Sequence, residues 1–126
     1  YDPELKLTYW GTAQQKPWMP ASRSLSIDDA GLFTNSTVAV NVDNGELDWF
    51  FQHVPAEALD LDEVFERVLI DRGDDKLVFS IGKHGILWKH DRVSGEFISH
   101  QETIFQNACP SSVIPRKKST GHSFSV

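Results

Sequence analysis

Ala39-Val40-Asn41-Val42-Asp43-Asn44-Gly45-Glu46-Leu47-Asp48-Trp49-Phe50-Phe51-Gln52 is the stretch from which the fold is read. Val38, Val40 and Val42 alternate with Thr37, Ala39 and Asn41, the period of two that sends successive side chains to opposite faces of a strand. Asp43-Asn44-Gly45 then supplies turn residues, and the return strand runs from about Leu47 to Gln52. The segment is a β-hairpin.

The same signature recurs 50 residues later. Asn41-Val42-Asp43-Asn44-Gly45-Glu46 and Asp91-Arg92-Val93-Ser94-Gly95-Glu96 each carry a strand end, an Asn or Asp, a glycine four residues on and a glutamate that opens the next strand. Repeats of this length, with several strands per unit, point to propeller blades. Upstream, Leu5, Leu7 and Tyr9 alternate with Lys6, Thr8 and Trp10 as a strand ending at Gly11, followed by a polar, proline-containing loop to about Phe33. Downstream, Lys76–Ile81, Gly85–Lys89 and Glu96–His100 read as strands. Between the two blocks, Asp60 and Glu63 have capping-box spacing, and Leu61, Phe65, Val68 and Leu69 share a helical face. A short helical turn leading into a strand at Val68-Leu69-Ile70 is expected there.

Composition fits one all-β domain's worth of chain. It has 126 residues, 40% hydrophobic and 24% charged, with four Trp and eight Phe, ring types that suit sheets. No apolar run approaches the roughly 20 residues of a membrane-spanning helix. One cysteine, Cys109, excludes an intramolecular disulfide. The net charge of −6 is concentrated: eight acids between Glu57 and Asp75 face only Arg67 and Arg72. Such a stretch repels nucleic-acid phosphate and reads on composition as a solvated loop. The chain starts at Tyr1, without a basic segment followed by an apolar one, and so reads as a processed protein or a piece of a longer one. Residues 108–126 hold no acid, one basic run (Arg116-Lys117-Lys118) and weak periodicity, the pattern of a poorly ordered tail.

Few residues carry an obvious chemistry. His53, His84, His90, His100 and His122 lack the spacing of a zinc site and read as surface or strand-packed. Gly82-Lys83-His84-Gly85 is not a phosphate-binding pattern. Asp60-Leu61-Asp62 is different, because two carboxylates in a turning loop can converge on one hard cation. From spacing alone, Asp60 reads rather as the cap of the helical turn.

In chain order, Tyr1-Asp2-Pro3-Glu4-Leu5, Tyr9-Trp10-Gly11-Thr12, Pro17-Trp18, the Ala39–Gln52 block, Pro55, Asp60, Gly82-Lys83-His84-Gly85-Ile86-Leu87 and Asp91 to Gly95 resemble the middle of the pyrroloquinoline-quinone-dependent alcohol dehydrogenases. The resemblance covers residues 1–107. It implies part of an eight-bladed β-propeller, about two to three blades, followed by a tail (108–126) that does not match. Its strongest element is the tryptophan-docking pattern, on which Gly45, Trp49 and Gln52 are structural residues that lock neighbouring blades, with Asn41 and Asn44 in place of the usual Asp and Thr.

The resemblance also implies roles. Asp60 stands where the family has the aspartate that takes the substrate hydroxyl proton while hydride moves to the quinone. Asp62 stands where lanthanide-using members carry an extra carboxylate, and Gln14 where the family has a metal-binding asparagine. Lys83 matches the basic residue that contacts the quinone oxygens. Leu59 replaces a tryptophan, and residues 26–31 lengthen the preceding loop. The expectation is a periplasmic quinoprotein fragment whose complete form oxidises a small primary alcohol to an aldehyde. It would use pyrroloquinoline quinone with a lanthanide ion, or alternatively Ca²⁺, and pass electrons to a cytochrome c. Since eight blades need well over 300 residues at roughly 40 to 50 each, the isolated chain is expected to be inactive, with the other blades missing. The rival is a non-enzymatic propeller acting as a scaffold, which has no need of Asp60, Asp62 and Lys83 together.

Overall fold

The computed structural model describes residues 1–26 and 28–104. They form two antiparallel sheets. The first has β1 (Leu7–Gly11), β2 (Ser36–Asn41) and β3 (Leu47–Gln52) in the order β1-β2-β3. The second has β4 (Val68–Arg72), β5 (Asp75–Ile81), β6 (Ile86–Asp91) and β7 (Phe97–Glu102) in the order β4-β5-β6-β7. Each strand pairs with its neighbour in sequence, the meander of a propeller blade. A 3-10 turn lies at Pro20–Arg23 in the long β1–β2 connection.

The 50-residue sequence repeat is a structural repeat. Gly45 N–H donates to Asn41 C=O at 2.8 Å, and Gly95 N–H donates to Asp91 C=O at 2.9 Å. The Asn41 and Asp91 side chains accept from the backbone N–H of Asp43 and Val93, both at 2.9 Å, so each fixes its own turn. Both glycines sit at positive φ, 77° and 74°, a region that strains any residue with a Cβ. A bulge falls between Ala39 and Val40 in one hairpin and between Lys89 and His90 in the other, the same step of the repeat.

The core lies between the sheets. Ala39 is opposite Trp49 in the β2–β3 register and fully buried, and the two pack with Leu7 and Val78. The Trp49 indole N–H donates to Arg92 C=O across the interface at 3.1 Å. Its ring lies so close to Gly95 that a Cβ there would be 2.6 Å away. Tyr9 Oη donates to the same carbonyl at 3.0 Å. A second cluster joins Ile86 and Trp88 of the second sheet to Phe51 of the first. Arg92 is also gripped by charge: its Nε is 2.6 Å from Asp2 and its terminal nitrogen 2.8 Å from Asp71.

Two expectations are corrected. Residues 60–67 hold no helical turn. Asp60 takes φ +62°, and the backbone of this stretch bonds to distant partners instead of to itself. Leu61 C=O accepts from Asn35 Nδ2 at 2.7 Å, Asp62 C=O from Lys83 N–H at 3.2 Å, and Glu63 N–H donates to Thr12 C=O at 3.4 Å. The acidic stretch is also not simply solvated, because Glu57 and Glu63 are buried, at 4% and 0% exposure. Strand ends move by a residue or two, with β1 opening at Leu7, β5 at Asp75, and β6 and β7 continuing to Asp91 and Glu102. Cys109, His122 and the tail lie outside the described residues.

Candidate active site

Three loops meet at one end of the sheets: the segment after β1 that carries Gln14, the irregular segment 53–67, and the β5–β6 turn that carries Lys83. Glu57 shapes the middle one. Its buried carboxylate accepts from Leu59 N–H and, at 3.1 Å, from Leu61 N–H, bending the chain so that Asp60 stands at its crest in a left-handed conformation.

Lys83 Nζ lies 2.7 Å from Asp62 Oδ2 and 3.2 Å from Asp60 Oδ2. One ammonium therefore bridges both carboxylates, and these bonds hold the Lys83 pKa above its ordinary value. Burial pushes the Asp62 carboxyl up, but the bonds from Lys83 and from Gln14 N–H outweigh it and leave it below the usual range. That Gln14 N–H bond reaches Asp62 Oδ1 at 3.0 Å. The Gln14 side-chain oxygen is buried and finds no hydrogen-bond partner among the described residues.

Asp60, Asp62, Lys83 and Gln14 are thus brought together from positions up to 69 residues apart. Trp49 stands elsewhere, between the sheets, and Gly45 caps the exposed β2–β3 turn. Gln52 Nε2 donates to Ala30 and Thr34 carbonyls at 2.9 and 3.1 Å, tying the end of β3 to the long loop. His53, His84 and His90 are buried in an aromatic cluster with Phe51 and Trp88. His90 is pushed down to about 4, chiefly by burial, and His53 well below its ordinary value. Among the described residues no three His, Cys, Asp or Glu side chains converge as a metal site. Sequence reasoning missed Glu57, Glu63 and Asn35, which hold the loop. A glycine at 82, where a Cβ would be 2.1 Å from Glu63 Oε1, is the one local signal of that packing.

The family profile described as "PQQ: Glucose/ethanol/alcohol dehydrogenase, beta-propeller domain" matches residues 1–120. The chain belongs to this family. Among relatives of these PQQ dehydrogenases, it is 36% identical over 111 residues to the quinohemoprotein alcohol dehydrogenase ADH-IIG of Pseudomonas putida, covering 85% of this chain and 15% of that one. It is 30% identical over 102 residues to the putative dehydrogenase XoxF of Paracoccus denitrificans, covering 78% and 16%. The solved ADH-IIG structure aligns at a TM-score of 0.73 and 32% identity over 82% of this chain and 16% of that one. A europium-containing methanol dehydrogenase aligns at 0.74 and 26% over 83% and 18%. The chain spans about one sixth of the length of these PQQ dehydrogenases, and the two sheets are part of a β-propeller of that kind.

Proposed function

We propose that the chain supplies the proton-accepting and ion-binding loop of a quinone-dependent alcohol dehydrogenase. The observation that carries this reading is the Lys83 ammonium shared between Asp60 and Asp62 beside the buried amide oxygen of Gln14, which has no hydrogen-bond partner among the described residues. A scaffold propeller has no use for such a cluster.

The donors fit the group the family implies. Asp60, Asp62 and Gln14 offer only hard oxygens, the type that calcium and lanthanide ions take, and the remaining ligands come from outside these residues. When bound, the quinone would supply a hydride acceptor and the metal ion Lewis acidity. This chain's part is narrower. Asp60, raised at the crest of its loop, takes the hydroxyl proton of a primary alcohol. Lys83 remains a cation next to it and stabilises negative charge that develops on the ring oxygens. Asp62 and Gln14 hold the ion. The Coulomb gain from a second carboxylate rises with cation charge, so a light lanthanide is preferred to Ca²⁺. The complete protein is placed in the bacterial periplasm with a cytochrome c as electron acceptor. Among the described residues no helix is long and apolar enough to cross a membrane.

A chimera tests the reading: residues 1–104 replace the matching span of the Pseudomonas putida enzyme, which is then loaded with quinone and La³⁺ or Ca²⁺. Alcohol-dependent dye reduction is expected to be higher with La³⁺, to lose that advantage in Asp62→Ala, and to vanish in Asp60→Ala. Equal activity with both ions sinks the lanthanide preference. An active Asp60→Ala chimera sinks the assignment of the base.

A further inference from the structure

Glu63 and His84 have side chains with no solvent exposure, and His84 Nε2 lies 2.6 Å from Glu63 Oε1. Ile86 N–H donates to His84 Nδ1 at 3.3 Å. The Trp88 indole N–H donates to His84 Nε2 at 3.0 Å. The sequence positions are telling: Glu63 follows Asp62, and His84 follows Lys83. Each member of the buried pair is therefore the next residue after a member of the partly exposed Asp62–Lys83 ion pair. Gly82 makes the approach possible, because a Cβ there would sit 2.1 Å from Glu63 Oε1 and 2.3 Å from its Cδ.

We propose that Glu63 and His84 are a positioning pair, a buried carboxyl–imidazole contact that clamps the 60–63 loop to the 82–85 turn and so sets the reach of Lys83 to Asp60 and Asp62. The inference rests on the reading of those three residues given above. A partly exposed ion pair contributes modestly by itself, whereas a fully buried carboxyl–imidazole contact is costly to lose because the remaining polar group stays in the interior without it. The clamp also extends to Gln14, through Glu63 N–H to Thr12 C=O and Gln14 N–H to Asp62 Oδ1.

Amide hydrogen exchange on the chain itself, at low concentration, is the test. In Glu63→Ala, the amides of Lys83 and Gln14, both bonded to Asp62, should exchange about tenfold faster or more. The amides of Arg92 and Gly95, in the second hairpin, should keep their rates. Glu63→Gln, which retains an acceptor for His84, should restore protection. Gly82→Ala, which drives a Cβ into the carboxyl group, should reproduce the Glu63→Ala pattern and serves where that variant fails to fold. Unchanged exchange at Lys83 and Gln14, an equal rise at Arg92 and Gly95, or no rescue by Gln each overturns the proposal. No quinone, metal or alcohol enters the measurement, so its failure leaves the oxidoreductase reading intact, and failure of the chimera leaves the clamp intact.

Discussion

Trp49 shows how a single side chain joins two sheets. It is 7% exposed, bonded to Arg92 C=O and laid against Gly95, while Gly45, at the equivalent turn, has nothing within 4 Å of where a Cβ would stand. Two glycines with the same backbone therefore differ in consequence. Trp49→Ala should cost about 3 to 5 kcal/mol as a buried aromatic truncation. Gly95→Ala should cost more than Gly45→Ala, which bears only the strain of positive φ, about 1 kcal/mol. Chemical denaturation of the three variants checks the order, and equal losses at the two glycines would show that Trp49 does not dock there.

At the scale of elements, the inward faces of β3 and β6 and the connections beside them place imidazoles in the interior. Burial keeps His90 neutral down to about 4 and His53 well below its ordinary value. A histidine whose folded pKa is depressed favours folding while neutral. Its contribution is complete above the unfolded value of about 6.5 and is lost as pH falls toward 4. The interface between the sheets adds an acid-sensitive carboxylate. Burial raises the Asp2 carboxyl, but the bonds from Leu5 N–H, Arg92 and Glu4 N–H outweigh it and hold it low, so its contribution persists above about 3.8 and fades below. Stability measured from pH 8 to 4 should fall mainly between 6.5 and 4, and His90→Phe should flatten that slope. A slope unchanged by the substitution would count against a neutral buried His90.

On the scale of the molecule, apolar surface is left uncovered on the sides of the sheets that face away from their shared core. Trp10, Val38 and Phe50 are in register across β1, β2 and β3, with Trp10 60% and Phe50 39% exposed. Val68 and Ile70 share one face of β4, and both are exposed. Exposed apolar rows of this kind are what stacked repeats bury against their neighbours. The chain made alone should therefore bind a hydrophobic dye and self-associate as its concentration rises, as read by sedimentation. A monomer at all concentrations with no dye binding would show that these faces need no partner.

What the sequence determined by itself is what local rules encode. The hairpin at Asn41–Glu46 and its echo at Asp91–Glu96 are written in an Asn or Asp that bonds its own turn and a glycine at positive φ, both within six residues, so the repeat and the all-β class were legible. Spacing marked Asp60 and Asp62 as a carboxylate pair but favoured a capped helical turn, and the roles of Asp60, Asp62 and Lys83 came only through family resemblance. That turn is absent because Asn35, Thr12 and Lys83 take the backbone groups of residues 61–63. Burial of Glu57 and Glu63 was illegible for the same reason: an acid in an acidic run looks solvated until the loop closes over it. Only the tertiary structure decided which carboxylates face Lys83 and which face the interior, because contacts between loops 21 to 69 residues apart are set by how the two sheets pack rather than by any period in the chain.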